Sequence, residues 1–197
     1  PSNTIAVTVD TKAPVVPAIT ALTAGDESAL GMTVSSNSVV VSGTSEAGSL
    51  VTVSDGKTVI GTATADAEGL WSFTAASLRE GAHSISARST DLAGNQSAAS
   101  RAMGFKVDTL DPGTPKIASY TTDSGVRGDG TTNATSIRLS GTAEAFSAVK
   151  IYDGEALIGE TVASSEGTWN FTTGTLDHGS SYDFKVTATD AAQNTSA

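Results

Sequence analysis

The sequence predicts an all-β chain built from two tandem Greek-key β-sandwiches, and three observations carry that expectation. Most recognisable residues of the second half have a twin 98 positions earlier. Wherever the chain is patterned, apolar and polar residues alternate with the period of two that a strand imposes. Clusters of Gly, Asp, Asn and Ser separate these runs at spacings of roughly 8–12 residues, the rhythm of a sandwich. No stretch shows a convincing helical period.

The repeat sets the domain plan. Val9-Asp10-Thr11 returns as Val107-Asp108-Thr109, Pro14 and Pro17 as Pro112 and Pro115, and Ser42-Gly43-Thr44 as Ser140-Gly141-Thr142. Trp71 and Phe73 return as Trp169 and Phe171, and beyond Gly81 and Gly179 one inserted residue lengthens the offset to 99. A solenoid unit is ~20–50 residues long, so a period near one hundred suits a whole small domain. The expected division is a last strand of a preceding repeat over 1–9, a first repeat over 10–107 and a second over 108–197.

In the first repeat, strand A is expected near 15–21, where Pro14 and Pro17 fix φ in the connector. Strand B falls near 38–42, on the alternation of Val39 and Val41, and strand C near 50–54, on Val51 and Val53. Asp55-Gly56 is a hairpin signal, since Gly accepts positive φ and Asp tolerates it, and leads to strand D near 58–65. Strand E, near 70–75, carries Trp71 and Phe73 as core anchors; F follows near 82–90 and G near 101–107. The second repeat reproduces A to F, with F near 181–189, and no equivalent of 101–107 follows. Residues 4–10 align with strand G, so F of the second repeat is expected to expose an edge that residues 3–9 of another molecule match.

Composition narrows the function. Asp plus Glu outnumber Lys plus Arg 21 to 11, a formal charge of −10. That balance argues against nucleic acid or an anionic membrane as partner and suits cation binding or plain solubility. The absence of cysteine excludes thiol chemistry and Cys-ligated zinc. No apolar run approaches the ~18 residues of a membrane span.

The acids are placed unevenly on this topology. In such a sandwich the lead-in to A and the B–C, D–E and F–G loops share one end. In the first repeat that end collects Asp10, Glu46, Asp66, Asp91 and the amide of Asn95; in the second, Asp108, Asp111, Glu144, Asp190 and Asn194. Asp26 in the first repeat, and Asp123 and Asp129 in the second, fall at the opposite end. Stacked repeats would bring two acidic faces together, at a cost of about 1 kcal/mol per close pair in water-like surroundings. Ca²⁺ would relieve that repulsion, because it takes six to eight carboxylate, amide, carbonyl and water oxygens. Asp10/Asp108, Asp91/Asp190 and Asn95/Asn194 form the strongest set, with Asp111 added in the second connector. Asp26, Glu46, Asp66, Asp123, Asp129 and Glu144 are weaker candidates. Asp55 and Asp153 read as hairpin formers rather than ligands.

The Val-Asp-Thr-x-x-Pro connectors (9–14 and 107–112), Ser-Gly-Thr-x-Glu-Ala (42–47 and 140–145) and Asp-x-Ala-x-Asn-x-Ser (91–97 and 190–196) together resemble the bacterial immunoglobulin-like repeats of giant non-fimbrial adhesins and biofilm-associated proteins. The resemblance implies tandem immunoglobulin-like stalk modules of a secreted, cell-surface protein, stiffened by calcium held at junctional aspartates. Neighbouring repeats are then the first partners. The alternative is a module that binds a host glycan or surface protein through Tyr120, Phe146 or Tyr152, aromatic positions without aromatic twins. Catalysis has little support, since His83 and His178 face Ser181 and Glu80 of the other repeat and no nucleophile motif accompanies them.

Overall fold

A computed structural model describes residues 3–25, 27–29, 31–121, 123–126 and 128–197. The chain divides into two compact units, Pro1–Thr109 and Leu110–Ala197. Each is a sandwich of two sheets, and no helix occurs among the described residues.

In unit 1, β1 (Ala18–Ala24), β4 (Val39–Thr44) and β7 (Leu70–Ala75) form one sheet, with the short β2 (Glu27–Ser28) on its edge. The other sheet runs β3 (Thr33–Val34), β9 (Met103–Val107), β8 (Gly81–Thr90), β5 (Leu50–Asp55) and β6 (Thr58–Thr64). The expected strands A to G are β1, β4, β5, β6, β7, β8 and β9. Strand A begins three residues later than expected, directly after Pro17, which has no amide hydrogen to give to a ladder. The pairs β2 and β3 were not expected; β3 lies parallel to β9, Thr33 opposite Lys106 and Val34 opposite Val107.

Alternation puts Val39 and Val41 on the inner face of one sheet and Val51, Val53, Ile85 and Val107 on that of the other, all fully buried. Burying each such side chain stabilises the fold by about 1.5–3 kcal/mol. Trp71 fills the space between the sheets, as expected.

Unit 2 repeats the plan, with fewer strands among the described residues. Its sheets are β10 (Lys116–Thr121), β11 (Arg138–Thr142) and β14 (Thr168–Thr172), and β13 (Ala156–Val162), β12 (Ala148–Asp153) and β15 (Phe184–Thr189). Ile137, Leu139, Val149, Ile151 and Trp169 form its core. The register corrects one equivalence. Asp55 stands opposite Ile85 and Asp153 opposite Phe184, so the twin of His83 is Tyr182, not Ser181. The inserted residue therefore precedes Tyr182.

Candidate functional site

In unit 1 the lead-in to β1 and the loops after β4 and β8 meet at one end. Asp10, Glu46 and Asp91 line the same open concavity of about 480 Å³, with Thr8 and Ser49 beside them. The loop after β8 is locked by its own side chains. The Asp91 carboxylate accepts from the Asn95 amide at 2.8 Å and from Asn95 Nδ2 at 2.8 Å. These bonds, the Asn95 side chain first, hold the Asp91 pKa below the usual carboxylate range. Asn95 Nδ2 also donates to the Asp10 carbonyl at 3.2 Å, tying the connector to the loop. Asp10 Oδ1 accepts from the Lys12 amide at 3.0 Å.

The last residue of the motif is structural. Ser97 is buried; its hydroxyl accepts from the Ser89 amide at 3.0 Å and its own amide donates to the Ser89 carbonyl at 2.9 Å. The chain leaving the loop is thereby pinned to β8.

Unit 2 rebuilds the same loop. Asp190 Oδ1 accepts from the amides of Ala192 and Asn194, and Asp190 Oδ2 accepts from Asn194 Nδ2 at 2.8 Å. Ser196 repeats the clasp on Ala188. Asp111 is exposed. Asp108 belongs to unit 1, where its carboxylate meets Lys106 Nζ at 2.9 Å and its amide donates to the Val34 carbonyl. Next to it, the amide and hydroxyl of Thr109 both donate to the Glu80 carboxylate.

The weaker candidates separate by geometry. Asp66 Oδ1 accepts from the amides of Glu68 and Leu70, and its twin Ser164 closes the same turn with a hydroxyl. That position serves the β6–β7 turn. Glu46 and Glu144 expose their side chains, and their carbonyls accept from the amides of Ser49 and Ser147. Asp129 Oδ1 accepts from the Thr131 amide, and Asp123 Oδ2 from the Gly128 amide. Among the described residues, no hydrogen bond of ordinary geometry reaches the buried Asp123 Oδ1 or the buried Tyr120 hydroxyl. Burial pushes the Tyr120 phenol pKa up, and Asp123 adds to the effect. Asp26 lies outside the described residues.

Asp55 and Asp153 act as hairpin locks. Asp55 Oδ1 accepts from the Ser84 amide and Asp153 Oδ1 from the Asp183 amide, both at 2.8 Å. In unit 1 alone a histidine joins: His83 Nδ1 lies 2.6 Å from Asp55 Oδ2, and Nε2 lies 2.8 Å from the Arg79 carbonyl. Burial opposes the charged ring, but the Arg79 carbonyl and the Asp55 carboxylate outweigh it and raise its pKa. Burial likewise opposes the Asp55 carboxylate; the Ser84 amide and His83 outweigh it and lower its pKa. Sequence reasoning missed this pair, which joins residues 28 apart.

Chemically, the end of unit 1 offers carboxylates, an amide side chain and backbone carbonyls. Such oxygens suit a hard divalent cation rather than zinc or copper. Among the described residues no three His, Cys, Asp or Glu side chains stand close enough to hold a metal ion by themselves. A cation here would draw its remaining ligands from carbonyl oxygens and water.

Two such sandwiches, each with a self-locked loop after its eighth-strand equivalent, define a pair of immunoglobulin-like modules. Residues 13–109 and 112–197 each match the bacterial Ig-like domain, and the chain belongs to that family as two repeats. Among solved structures it is similar to the fibronectin(III)-like modules of Clostridium thermocellum CbhA, at 17% identity and TM-score 0.52, covering 89% of both chains. A biofilm-associated protein's BSP domain matches at 21% identity and TM-score 0.29, over 84% of this chain and 27% of that one. A 1.5-MDa bacterial ice-binding adhesin matches at 22% identity and TM-score 0.44, over 92% of this chain and 60% of that one. No curated protein matches the chain.

Proposed function

We propose that the chain is a stalk segment of a bacterial cell-surface adhesin, and that Ca²⁺ bound by connector and loop oxygens stiffens the joints between repeats. One observation carries this reading: in unit 1 the connector residue Asp10 shares a concavity with Asp91 and Glu46, while Asn95 already ties connector to loop. An ion held there restrains the connector relative to the sandwich. The connectors also hold Pro14, Pro17, Pro112 and Pro115, whose fixed φ removes freedom before any ion binds. Membership in a family of bacterial Ig-like repeats supports a structural or binding module rather than an enzyme. The extracellular setting rests on the same family.

Calorimetric titration of calcium into chelator-stripped protein tests the reading. Binding with defined stoichiometry is expected, and small-angle scattering should report a more extended, less variable particle with calcium than with chelator. Asp108→Ala should lose that difference while both units stay folded. Scattering curves that superimpose with and without calcium would remove the stalk-stiffening role.

A second reading has one specific observation in its favour. Of the aromatic positions Tyr120, Phe146 and Tyr152, the two tyrosines are half-buried, whereas Phe146 is 73% exposed. A glycan or surface protein stacking on the loop after β11 would use that ring. Binding on a glycan array that disappears in Phe146→Ser would favour this adhesive role over a pure spacer.

A further inference from the structure

In the sheet β3-β9-β8-β5-β6 one face closes the core of unit 1 and the other faces solvent. Val51 and Val53 of β5, and Ala87 and Ser89 of β8, are buried, so the residues between them point outward. The register sets those outward residues side by side. Thr52 stands between Thr62 of β6 and Arg88 of β8, and Ser54 between Val59 and Ser86. Directly opposed side chains on neighbouring strands lie ~5 Å apart, so these residues form one continuous patch.

The patch is concave. Thr52, Ser54, Ser86, Arg88 and Thr90 line an open concavity of about 370 Å³. Val59 borders it on the β6 side, and Gln96, from the segment that follows the loop after β8, borders it on the other. That segment is pinned to β8: the Ser100 amide donates to the Ala87 carbonyl, and the Ser100 hydroxyl accepts from the Ala87 amide.

Two features set this concavity apart from ordinary polar surface. Arg88 is the only charged side chain among the described residues that line it, and among the described residues its guanidinium enters no ion pair. In a chain of formal charge −10, a cation left without a carboxylate is unexpected. The hydroxyls around it are uncommitted as well. Among the described residues, the side chains of Thr52, Ser54, Ser86 and Thr90 make no hydrogen bond. The nearby hydroxyls of Ser89, Ser97 and Ser100 are all bonded to backbone.

Unit 2 does not repeat the arrangement. The twins of Thr52, Ser54 and Ser86 are Lys150, Tyr152 and Lys185, and Lys185 is already paired with Glu155. Thr187 stands where unit 1 has Arg88. The hydroxyl of Thr189, the twin of Thr90, is bonded to Thr195.

The chemistry of the concavity defines its ligand. A guanidinium presents a planar fork of donors that fits a carboxylate. The ladder amides and carbonyls of β5 and β8 are spent on each other. A ligand on this face therefore meets side-chain hydroxyls and an amide, which suits a polyhydroxylated molecule and not a peptide strand. Val59, 60% exposed, offers an apolar edge to the C–H face of a sugar ring. A single cation on an acidic protein favours a ligand with one charge over a densely charged polyanion. We propose that this face of unit 1 binds a glycan through a sugar bearing one carboxylate. Arg88 pairs with the carboxylate, and Thr52, Ser54, Ser86 and Thr90 bond to the sugar hydroxyls. The site uses neither calcium nor Phe146, so it stands independently of both roles proposed above.

Titration of isotopically labelled protein, with chelator present and amide chemical shifts as the readout, tests this. The probes are sialyllactose and methyl glucuronide, each beside a neutral counterpart, lactose and methyl glucoside. Saturable shifts at 52–54, 86–90 and 96 are expected with one or both acidic sugars, and the tighter of the two names the sugar class. The neutral counterparts should bind about tenfold more weakly or worse, having lost a charge-assisted hydrogen-bonded pair. Arg88→Thr, which copies the unit 2 twin, should weaken the acidic sugar by about the same factor. Both melting transitions should stay in place, because the Arg88 side chain is exposed. No saturable shift with either acidic sugar, shifts confined to unit 2, or an Arg88→Thr protein that binds like the parent would each overturn the proposal. So would hexaglutamate that moves the same residues as strongly as the sugars, since the concavity would then be a site for acidic peptide.

Discussion

Phe146 holds a backbone conformation that its twin Gly48 adopts at no steric cost, with φ of 65° against 75°. For a residue with a Cβ the left-handed region costs about 1–2 kcal/mol. The ring is largely exposed, so packing recovers little of this. Phe146→Gly is therefore expected to stabilise unit 2 by about 1 kcal/mol, raising its calorimetric transition by about 4–8 °C. A fall instead would mean that the ring makes contacts worth more than the strain. In unit 1, His83 and Asp55 make the stability of the sandwich depend on pH. A His pKa raised by folding contributes fully below its unfolded value of ~6.5 and fades as pH rises through the folded value. A lowered Asp pKa contributes above ~3.9 and is lost as acid brings the pH down through the depressed value. Both contributions coexist between about pH 4 and 6.5. Thermal melts should therefore place the unit 1 transition higher at pH 5.5 than at pH 8.5, and His83→Gln should remove most of that difference. Unit 2, with Tyr182 in place of His83, lacks this pair.

Among the elements, what could be read from the chain was what repeats locally. Alternating valines and Asp-Gly pairs announce β4, β5 and their hairpin because neighbours in sequence decide them. The parallel contact of β3 with β9 is two residues long, too short to leave a period, and joins segments some seventy residues apart. The start of β1 was misplaced because alternation continues through Val15, although Pro17 forbids pairing there. The Ser-Gly-Thr motif was visible, but its reason was not. A Cβ on Gly43 would collide with the Ala18 carbonyl oxygen and sit 2.8 Å from the Trp71 ring; on Gly141 it would meet the Lys116 carbonyl and Trp169 in the same way. The glycine lets the tryptophan lie across β4 where β1 slips register between Ile19 and Ala21. Because the carbonyl belongs to backbone, the clash cannot be relieved by a rotamer change. Gly141→Ala is expected to destabilise unit 2 by about 3 kcal/mol or more, measured by denaturant unfolding, while unit 1 keeps its midpoint. An unchanged midpoint for unit 2 would mean the sheet can absorb the methyl group by moving.

For the whole molecule, the question is whether acids at the ends of repeats are ligands or turn formers, and residue type cannot separate the two. Asp66 and Asp91 look alike in the sequence, yet one closes a turn that Ser164 closes equally well, and the other lines a concavity with Asp10 and Glu46. The candidate site was legible to the extent that Asp10, Asp91, Asn95 and Glu46 were placed at one end by strand order. The hydrogen bonds that lock Asp91 to Asn95 depend on the loop's path and were not. A ligand that binds only the folded state stabilises it by about 2.7 kcal/mol at one hundred times its dissociation constant. Calcium at that concentration should raise the unit 1 melting temperature by several degrees. Glu46→Gln keeps the size of the side chain and removes one charge; a tenfold weaker site would lose about 1.4 kcal/mol of that gain, with the calcium-free melt unchanged. Asp66→Ser, which copies the natural twin, should leave both melt and calcium response as they are. If Asp66→Ser abolished the response and Glu46→Gln did not, the ion would sit against the β6–β7 turn, and the connector would lose its part in holding it.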